Sequence, residues 1–159
     1  MWTEMDSPIG QLRIVERGGA IAAIEFTPYR NTDGRVRGQR QDDHPVLAEC
    51  VRQLRAYFDH DLKEFELPLA PEGTDFQQRV WEQLQGIAYG ETASYGQIAG
   101  RLGMTNAASR AVGLANGRNP IPIVIPCHRV IGANGTLTGY AGGLERKQTL
   151  LELEQDALF

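Results

Sequence analysis

Cysteine is scarce in this sequence. Cys50 and Cys127 are the only two, and they form no Cys-x-x-Cys pair. That excludes a disulfide framework and a thiolate zinc site, and it suits a reducing compartment. Histidine is equally sparse. His44, His60 and His128 lie far apart in the chain, so no metal and no cofactor is expected. No apolar run approaches the roughly 20 residues that cross a bilayer. The opening Met1-Trp2-Thr3-Glu4 has neither a basic nor an apolar leader segment, and a cytoplasmic protein is the expectation. There is no Gly-x-x-x-x-Gly-Lys, and the glycine-rich stretch 139–143 lacks the strand–helix setting of a phosphate loop, so a nucleotide cradle is not expected. Internal repeats and low-complexity segments are absent.

Acidic side chains are missing from one long region. Between Thr92 and Leu144 there is no Asp or Glu, while Arg101, Arg110, Arg118 and Arg129 are present. The formal charge of −4 argues weakly against a nucleic-acid partner, but the charge is unevenly placed. Residues 1–72 hold nine basic and thirteen acidic side chains, and 73–159 hold seven of each, which sums to the 16 and 20 of the whole chain. An acid-free stretch with four arginines reads as a phosphate-facing surface of modest, salt-sensitive strength.

At 159 residues the chain has room for one domain or two small ones. Strands are expected over 1–6, 11–16 and 20–26, turning at Ser7-Pro8-Ile9-Gly10 and Gly18-Gly19, as an antiparallel meander. Residues 28–43 are polar and read as a solvated loop. After Pro45, Val46, Leu47, Cys50, Leu54, Tyr57 and Phe58 recur at helical spacing, which makes Cys50 a core thiol. A short strand is expected over 65–69, then a linker at Ala70-Pro71-Glu72-Gly73. Thr74-x-x-Gln77 is a capping box for a helix carrying Phe76, Val80, Leu84 and Ile87, and Ser94-x-x-Gln97 opens a second, short one. A turn at Gly103-Met104-Thr105 and a helix over 106–115 suggest helix-turn-helix. Asn116 to Pro120 reads as a turn, 123–125 as a buried strand, Gly132-Ala133-Asn134-Gly135 as a hairpin turn, and 144–154 as the last helix.

The chemistry gathers at Pro126-Cys127-His128-Arg129-Val130. A thiolate is the attacking species, and a neighbouring imidazole or guanidinium lowers a cysteine pKa. Taken alone, a Cys after an Ile/Val run is more often a small core residue. The helix over 106–115 is built of small residues (Ala107, Ala108, Ser109, Ala111, Gly113) around one long side chain, Arg110. On its own that composition favours tight helix packing over a ligand.

The Pro-Cys-His-Arg-Val run resembles the active-site signature of the O6-alkylguanine-DNA alkyltransferases, the methylated-DNA–protein-cysteine methyltransferase family. Four further blocks follow the family order. They are Gly73-Thr74-Asp75-Phe76-Gln77-Gln78-Arg79-Val80-Trp81, Tyr89-Gly90-Glu91-Thr92-Ala93-Ser94-Tyr95-Gly96, Ser109-Arg110-Ala111-Val112-Gly113 and Gly139-Tyr140-Ala141-Gly142-Gly143. The resemblance covers about residues 73–154. It implies an α/β protein with a small N-terminal α+β domain (antiparallel sheet plus helix) over 1–72. A mostly helical, winged helix-turn-helix-like domain over 73–159 would carry the cysteine.

The resemblance also implies a reaction: Cys127 takes the alkyl group from O6 of a flipped-out guanine and keeps it, a single-turnover repair of double-stranded DNA. His128 would serve as base through a water, Glu154 would orient it, and Asn119 would brace the turn. Tyr95 would assist flipping and hydrogen-bond the guanine ring. Arg110 would fill the vacated stack, with Ala107, Ala108, Ser109, Ala111 and Gly113 in the minor groove and Arg118 and Arg129 on the DNA. Tyr140 would stack on the base, the Cys127 and Val130 carbonyls would accept from its amine, and Ala141 with Gly142 would face O6. Ala141 stands where many relatives have serine, and the segment from Tyr95 to Arg110 is one residue longer than in familiar forms. Some relatives carry an N-terminal zinc site whose ligands this sequence lacks. A monomer is expected, with cooperativity on DNA left open. The competing readings are a lesion-binding module without chemistry, a DNA-binding regulator and a cysteine hydrolase. Cys127 weighs against the first, the short chain against the second, and the lack of an oxyanion-hole motif against the third.

Overall fold

The alternation of apolar residues in the first 26 positions builds a three-stranded antiparallel meander in the computed structural model, which describes residues 1–29, 38–135, 137, 140 and 142–156. Strand β1 is Trp2–Met5, β2 is Leu12–Arg17 and β3 is Ala20–Phe26, in sheet order β1-β2-β3. The central β2 is buried from Leu12 to Glu16, so even its polar members need partners. Arg13 stands opposite Glu25 in the register and bonds it at 2.7 Å. Helix α1, Pro45–Phe58, buries Leu47, Cys50, Leu54, Tyr57 and Phe58 as its spacing predicts. His44 caps it, its Nδ1 accepting from the Val46 amide.

Two expectations for this half need revision. Residues 65–69 form no strand and only a single bridge, Ile21 to Leu69. Pro68 has no amide to give, and the Gln53 side chain takes both backbone groups of Glu66 instead. The far flank of the 28–43 loop is also docked: Arg40 bridges Trp2, and Asp42 accepts from the Thr3 hydroxyl at 2.7 Å. Its middle, 30–37, lies outside the described residues.

The chain divides into two compact units, Met1–Pro71 and Glu72–Phe159. In the second, both capping boxes form in full. Thr74 and Gln77 start α2, Asp75–Leu84, and Ser94 and Gln97 start α3, Tyr95–Arg101. The helix expected over 106–115 splits into a 3-10 turn, Asn106–Ala108, and α4, Ser109–Gly117. The Asn106 side chain lies so close to Gly96 that a Cβ there would collide with Oδ1, and this contact sets how tightly the turn hugs α3. Trp81 of α2, almost fully buried, donates from Nε1 to the Ala115 carbonyl at 2.8 Å and pins the end of α4. The last helix, α5, is Leu144–Asp156.

The stretch 123–125 is not a strand. Residues 121–126 are buried but coil through tight turns: Val124 N–H donates to Pro122, Ile125 N–H to Ile121 and Cys127 N–H to Ile125. Pro120, Pro122 and Pro126 remove three of the amides a ladder would use. Ile123 sits at φ 74°, a left-handed conformation that a β-branched residue adopts only when its surroundings force it. The strand comes later. Val130–Ile131 (β5) pairs in parallel with Ala93–Ser94 (β4). The Gly132–Gly135 turn closes with Gly135 at φ 81°, but the returning arm of the expected hairpin includes 136, 138 and 139, which are outside the described residues.

Candidate active site

Cys127–Arg129 is a 3-10 turn between the coiled proline segment and β5. That turn fans three consecutive side chains into the protein, and all three are buried. His128 Nε2 meets Glu154 Oε2 at 2.6 Å. Arg129 grips the same carboxylate with Nε to Oε1 at 2.8 Å and Nη2 to Oε2 at 3.0 Å, and its Nη1 donates to the Ile87 carbonyl at 2.7 Å. The Gly90 amide adds a longer bond to Oε1, 3.3 Å. Glu154 is only 1% exposed, although a glutamate near a helix end usually faces water.

The protonation states follow from these partners. Burial alone would raise the Glu154 carboxyl. The hydrogen bonds and charges of His128 and Arg129 outweigh it and bring the group down to about 2. An ionised carboxylate can only accept, so Nε2 of His128 carries the proton. Burial also lowers the His128 pKa, with Glu154 opposing, and the imidazole rests neutral. Its proton-free nitrogen is then Nδ1, which is buried and has no hydrogen-bond partner. A fixed neutral imidazole with one free lone pair is a general base.

Cys127 differs from the expectation that its neighbours would lower its pKa. Burial pushes the thiol up to about 11, against the Asn119 side chain, the Lys147 charge and nearby backbone N–H groups, which favour the thiolate. The Arg129 guanidinium gives no help, because its hydrogen bonds go to Glu154 and Ile87. It is 6% exposed, which also corrects its assignment as a DNA contact. Asn119 braces the turn as expected: Nδ2 donates to Ile125 O at 2.8 Å and Oδ1 accepts from Ile121 N–H at 3.0 Å.

Two residues here escaped the sequence reading. Lys147 of α5 is fully buried and donates from Nζ to the Val130 carbonyl at 2.6 Å. Burial lowers its pKa, and the Cys127 thiolate pulls it back up. Asn116, expected in a turn, is instead buried in the last turn of α4 and donates from Nδ2 to the Cys127 carbonyl at 3.3 Å. The periodicity of α5 hints at Lys147, which falls three residues before the buried Leu150. No comparable signal marks Asn116.

The remaining expected residues lie on the same unit. On α4, Val112, Ala115 and Asn116 face inward, while Arg110, Ala111 and Leu114 are exposed. Ala107 is exposed, Ala108 and Ser109 are half-buried, and Arg118 is exposed just past the helix. Tyr95 is half-buried, with its ring against Gly113, where a Cβ would touch Cε1 at 3.6 Å. An open groove of about 610 Å³ runs beside it, lined by Ser94, Tyr95, Gly96, Gln97, Asn106, Ser109 and Ala133. Tyr140 is buried, and burial holds its phenol well above 10, so it stays protonated. Gly142 is half-buried and accepts from Arg146 through its carbonyl. Ala141 lies outside the described residues. Among the described residues no cluster of His, Cys, Asp or Glu could hold a metal ion, and no helix is long and apolar enough to cross a membrane.

Comparison with known proteins accounts for both halves. Residues 75–156 match the family model of the 6-O-methylguanine DNA methyltransferase DNA binding domain, and residues 1–71 match that of its ribonuclease-like domain. A methylated-DNA–protein-cysteine methyltransferase of Mycobacterium leprae is 52% identical over 151 residues, covering 95% of this chain and 90% of the relative. The crystal structure of the Mycobacterium tuberculosis O6-methylguanine methyltransferase superposes with a TM-score of 0.89 at 48% identity, over 98% of this chain and 93% of that one. A structure of the M. tuberculosis protein in complex with DNA gives 0.85 at 46% identity, with the same coverage. The buried cysteine with its histidine–glutamate pair, the helix-turn-helix beside it and the antiparallel N-terminal unit thus fall together: the chain belongs to the 6-O-methylguanine DNA methyltransferase family.

Proposed function

We propose that this protein repairs DNA by moving an alkyl group from O6 of guanine to Cys127 Sγ, once per molecule. The observation that carries the reading is the buried Glu154–His128 pair, which leaves a neutral imidazole with Nδ1 unpartnered one residue from a buried thiol. The thiol is too weak an acid to ionise unaided, so a base is required. His128 Nδ1 takes the proton, through a water, and the resulting imidazolium is held by the Glu154 carboxylate. The sulfur attacks the alkyl carbon, a new C–S bond forms, and the C–O6 bond breaks. Guanine leaves with the electron pair and takes a proton. The product is a thioether, which water does not cleave, so the site stays blocked.

DNA is the partner, engaged through the exposed face of α4. Arg110 fills the gap left by the flipped nucleotide, while Ala107, Ala108, Ser109, Ala111 and Gly113 keep the helix slim enough for the minor groove. Tyr95 crowds the phosphate beside the lesion and hydrogen-bonds the guanine ring. Arg118 adds a backbone contact. Tyr140 stacks on the base, and acceptors along the Cys127–Val130 wall read its exocyclic amine. Asn119 fixes the coil that precedes the cysteine. The protein works as a monomer, and the 1–72 half supports the other.

The test is the intact mass of the protein after excess duplex carrying O6-methylguanine, with peptide mapping. One methyl on Cys127 and one equivalent of repaired guanine are expected. An unmodified protein that still holds the duplex would overturn the reading in favour of a binding module.

A further inference from the structure

The outer face of α4 carries one side chain that does not share the small stature of its neighbours. Leu114 is 63% exposed, the most exposed large apolar residue among the described ones. A single exposed leucine is ordinary on a protein surface. The setting of this one is not. It follows Arg110 by one helical turn, so the two lie side by side on one face. Arg118, also exposed, comes a further turn along. Val112, Ala115 and Asn116 take the opposite, buried side.

The ground around Leu114 is low. Gly113 and Gly117 flank it, and a Cβ at Gly117 would meet nothing within 4 Å. Ala107 and Ala111 complete the exposed face. Leu114 is therefore an apolar knob between two arginine positions, in a stretch where no Asp or Glu occurs between Thr92 and Leu144. That combination suits a surface with anionic walls and a floor that an apolar group can press against. The minor groove of a duplex has both, and apolar side chains are used there as wedges. The spacing sets the place. One turn of four residues advances about 6 Å along the helix, and stacked base pairs lie about 3.4 Å apart. With Arg110 in the gap left by the flipped nucleotide, Leu114 reaches the floor about two base pairs away.

We propose that Leu114 is a specificity-determining residue, seated on the minor-groove floor beside the lesion, where it disfavours a G·C pair. The assignment rests on the alkyl-transfer reading above, with α4 in the minor groove, and adds a dependence on the flanking sequence. Both kinds of pair show acceptors on that floor, and G·C alone adds the guanine N2 amine. A leucine laid over that amine removes its water and offers no acceptor in return, which is unfavourable. Over an A·T pair the same leucine meets no such donor.

The experiment measures single-turnover transfer rates, at protein concentrations below saturation, on O6-methylguanine duplexes that differ only in the first, second and third pairs on each side of the lesion. Each flanking position is made G·C, inosine·C or A·T in turn. Inosine lacks only the N2 amine, so it isolates that group. Pairing strength also changes, but alike for every protein tested, and the comparison with Leu114→Ala and Leu114→Gln removes it. At one position the wild-type protein should react about fivefold or more faster with inosine·C than with G·C, the least that a covered, unpaired amine loses. Leu114→Ala should bring that ratio close to one, and Leu114→Gln, whose carbonyl can accept from the amine, to one or below. Melting temperatures should stay level, because the side chain is exposed. Equal wild-type rates at every position overturn the assignment. So does a variant that keeps the wild-type ratio, including one slowed equally on all duplexes, in which the leucine supplies contact without reading the pair. No transfer to any duplex would instead sink the alkyl-transfer reading, and this contact with it.

Discussion

Replacing Glu154 with glutamine tests the centre of the site most directly. The carboxylate holds two buried partners, one of them an arginine only 6% exposed. Its drop from the ordinary 4.5 to about 2 corresponds to about 3 kcal/mol of folding stability. The sign follows from the direction of the shift. The folded group is the stronger acid, so the contribution is complete above pH 4.5 and is lost as pH falls toward 2. Below about pH 6.5 a second loss begins, because the unfolded imidazole binds a proton that buried His128 resists. Glu154→Gln also leaves the Arg129 guanidinium buried without its anion, and breaking such a pair costs about 3–5 kcal/mol. Denaturant unfolding at pH 7 should therefore lose about 3 kcal/mol or more, and the slope of stability between pH 4.5 and 2 should flatten. Transfer should slow as well, since an amide NH₂ facing Nε2 favours the wrong tautomer. A loss below about 1 kcal/mol with the acid slope intact would refute the account, because an exposed ion pair is worth no more than that.

Other outcomes are as definite. His128→Gln should slow transfer at neutral pH and move the pH–rate curve to higher pH, since the thiol is held at about 11 by burial and would have to ionise unaided; a parallel drop at every pH would argue against a base. Arg110→Ala should leave the melting temperature unchanged, because the side chain is exposed, yet slow transfer on duplex more than on a lesion already unpaired. The logarithmic salt dependence of duplex binding should have a slope of about −3 or shallower, as Arg101, Arg110 and Arg118 are exposed and Arg129 is not; a slope much steeper than that would return Arg129 to the DNA. Gly100→Ala on α3 meets open space and should add about 0.5–1 kcal/mol of stability, whereas Gly73→Ala would drive a methyl into the Trp81 ring and should lower it, both read by thermal melting.

Much of this was legible before the structure because local chemistry wrote it. Capping boxes are reciprocal contacts four residues wide, and both form as spelled. The apolar spacing after Pro45 needs only one partner face to be right. The cysteine motif was legible through resemblance, and so was Glu154, which nothing in its own helix distinguishes from a surface glutamate. What failed depended on distant partners. Residues 123–125 have strand-like side chains, but the three prolines around them leave too few amides for a ladder, and the surrounding core imposes the left-handed Ile123. Arg129 looked like a surface cation because its carboxylate lies 25 positions further along. Asn116 was passed over because one polar residue in a short helix carries no pattern, and Lys147 because a helical spacing to Leu150 does not by itself mark a lysine as buried. Only the fold brings each to a backbone carbonyl.

The two-residue parallel ladder between β4 and β5 sets a dimension of the protein. Ser94, which starts the helix bearing Tyr95, is in register with Ile131, four residues past the cysteine. The measuring chain from tyrosine to sulfur thus runs one residue back, one rung across and four residues home, with no loop in the circuit. Machinists keep such chains short because errors add link by link. Here the gauge between the Tyr95 ring and the Cys127 sulfur is cut in backbone, and a slip of one rung would turn every side chain on it to the opposite face.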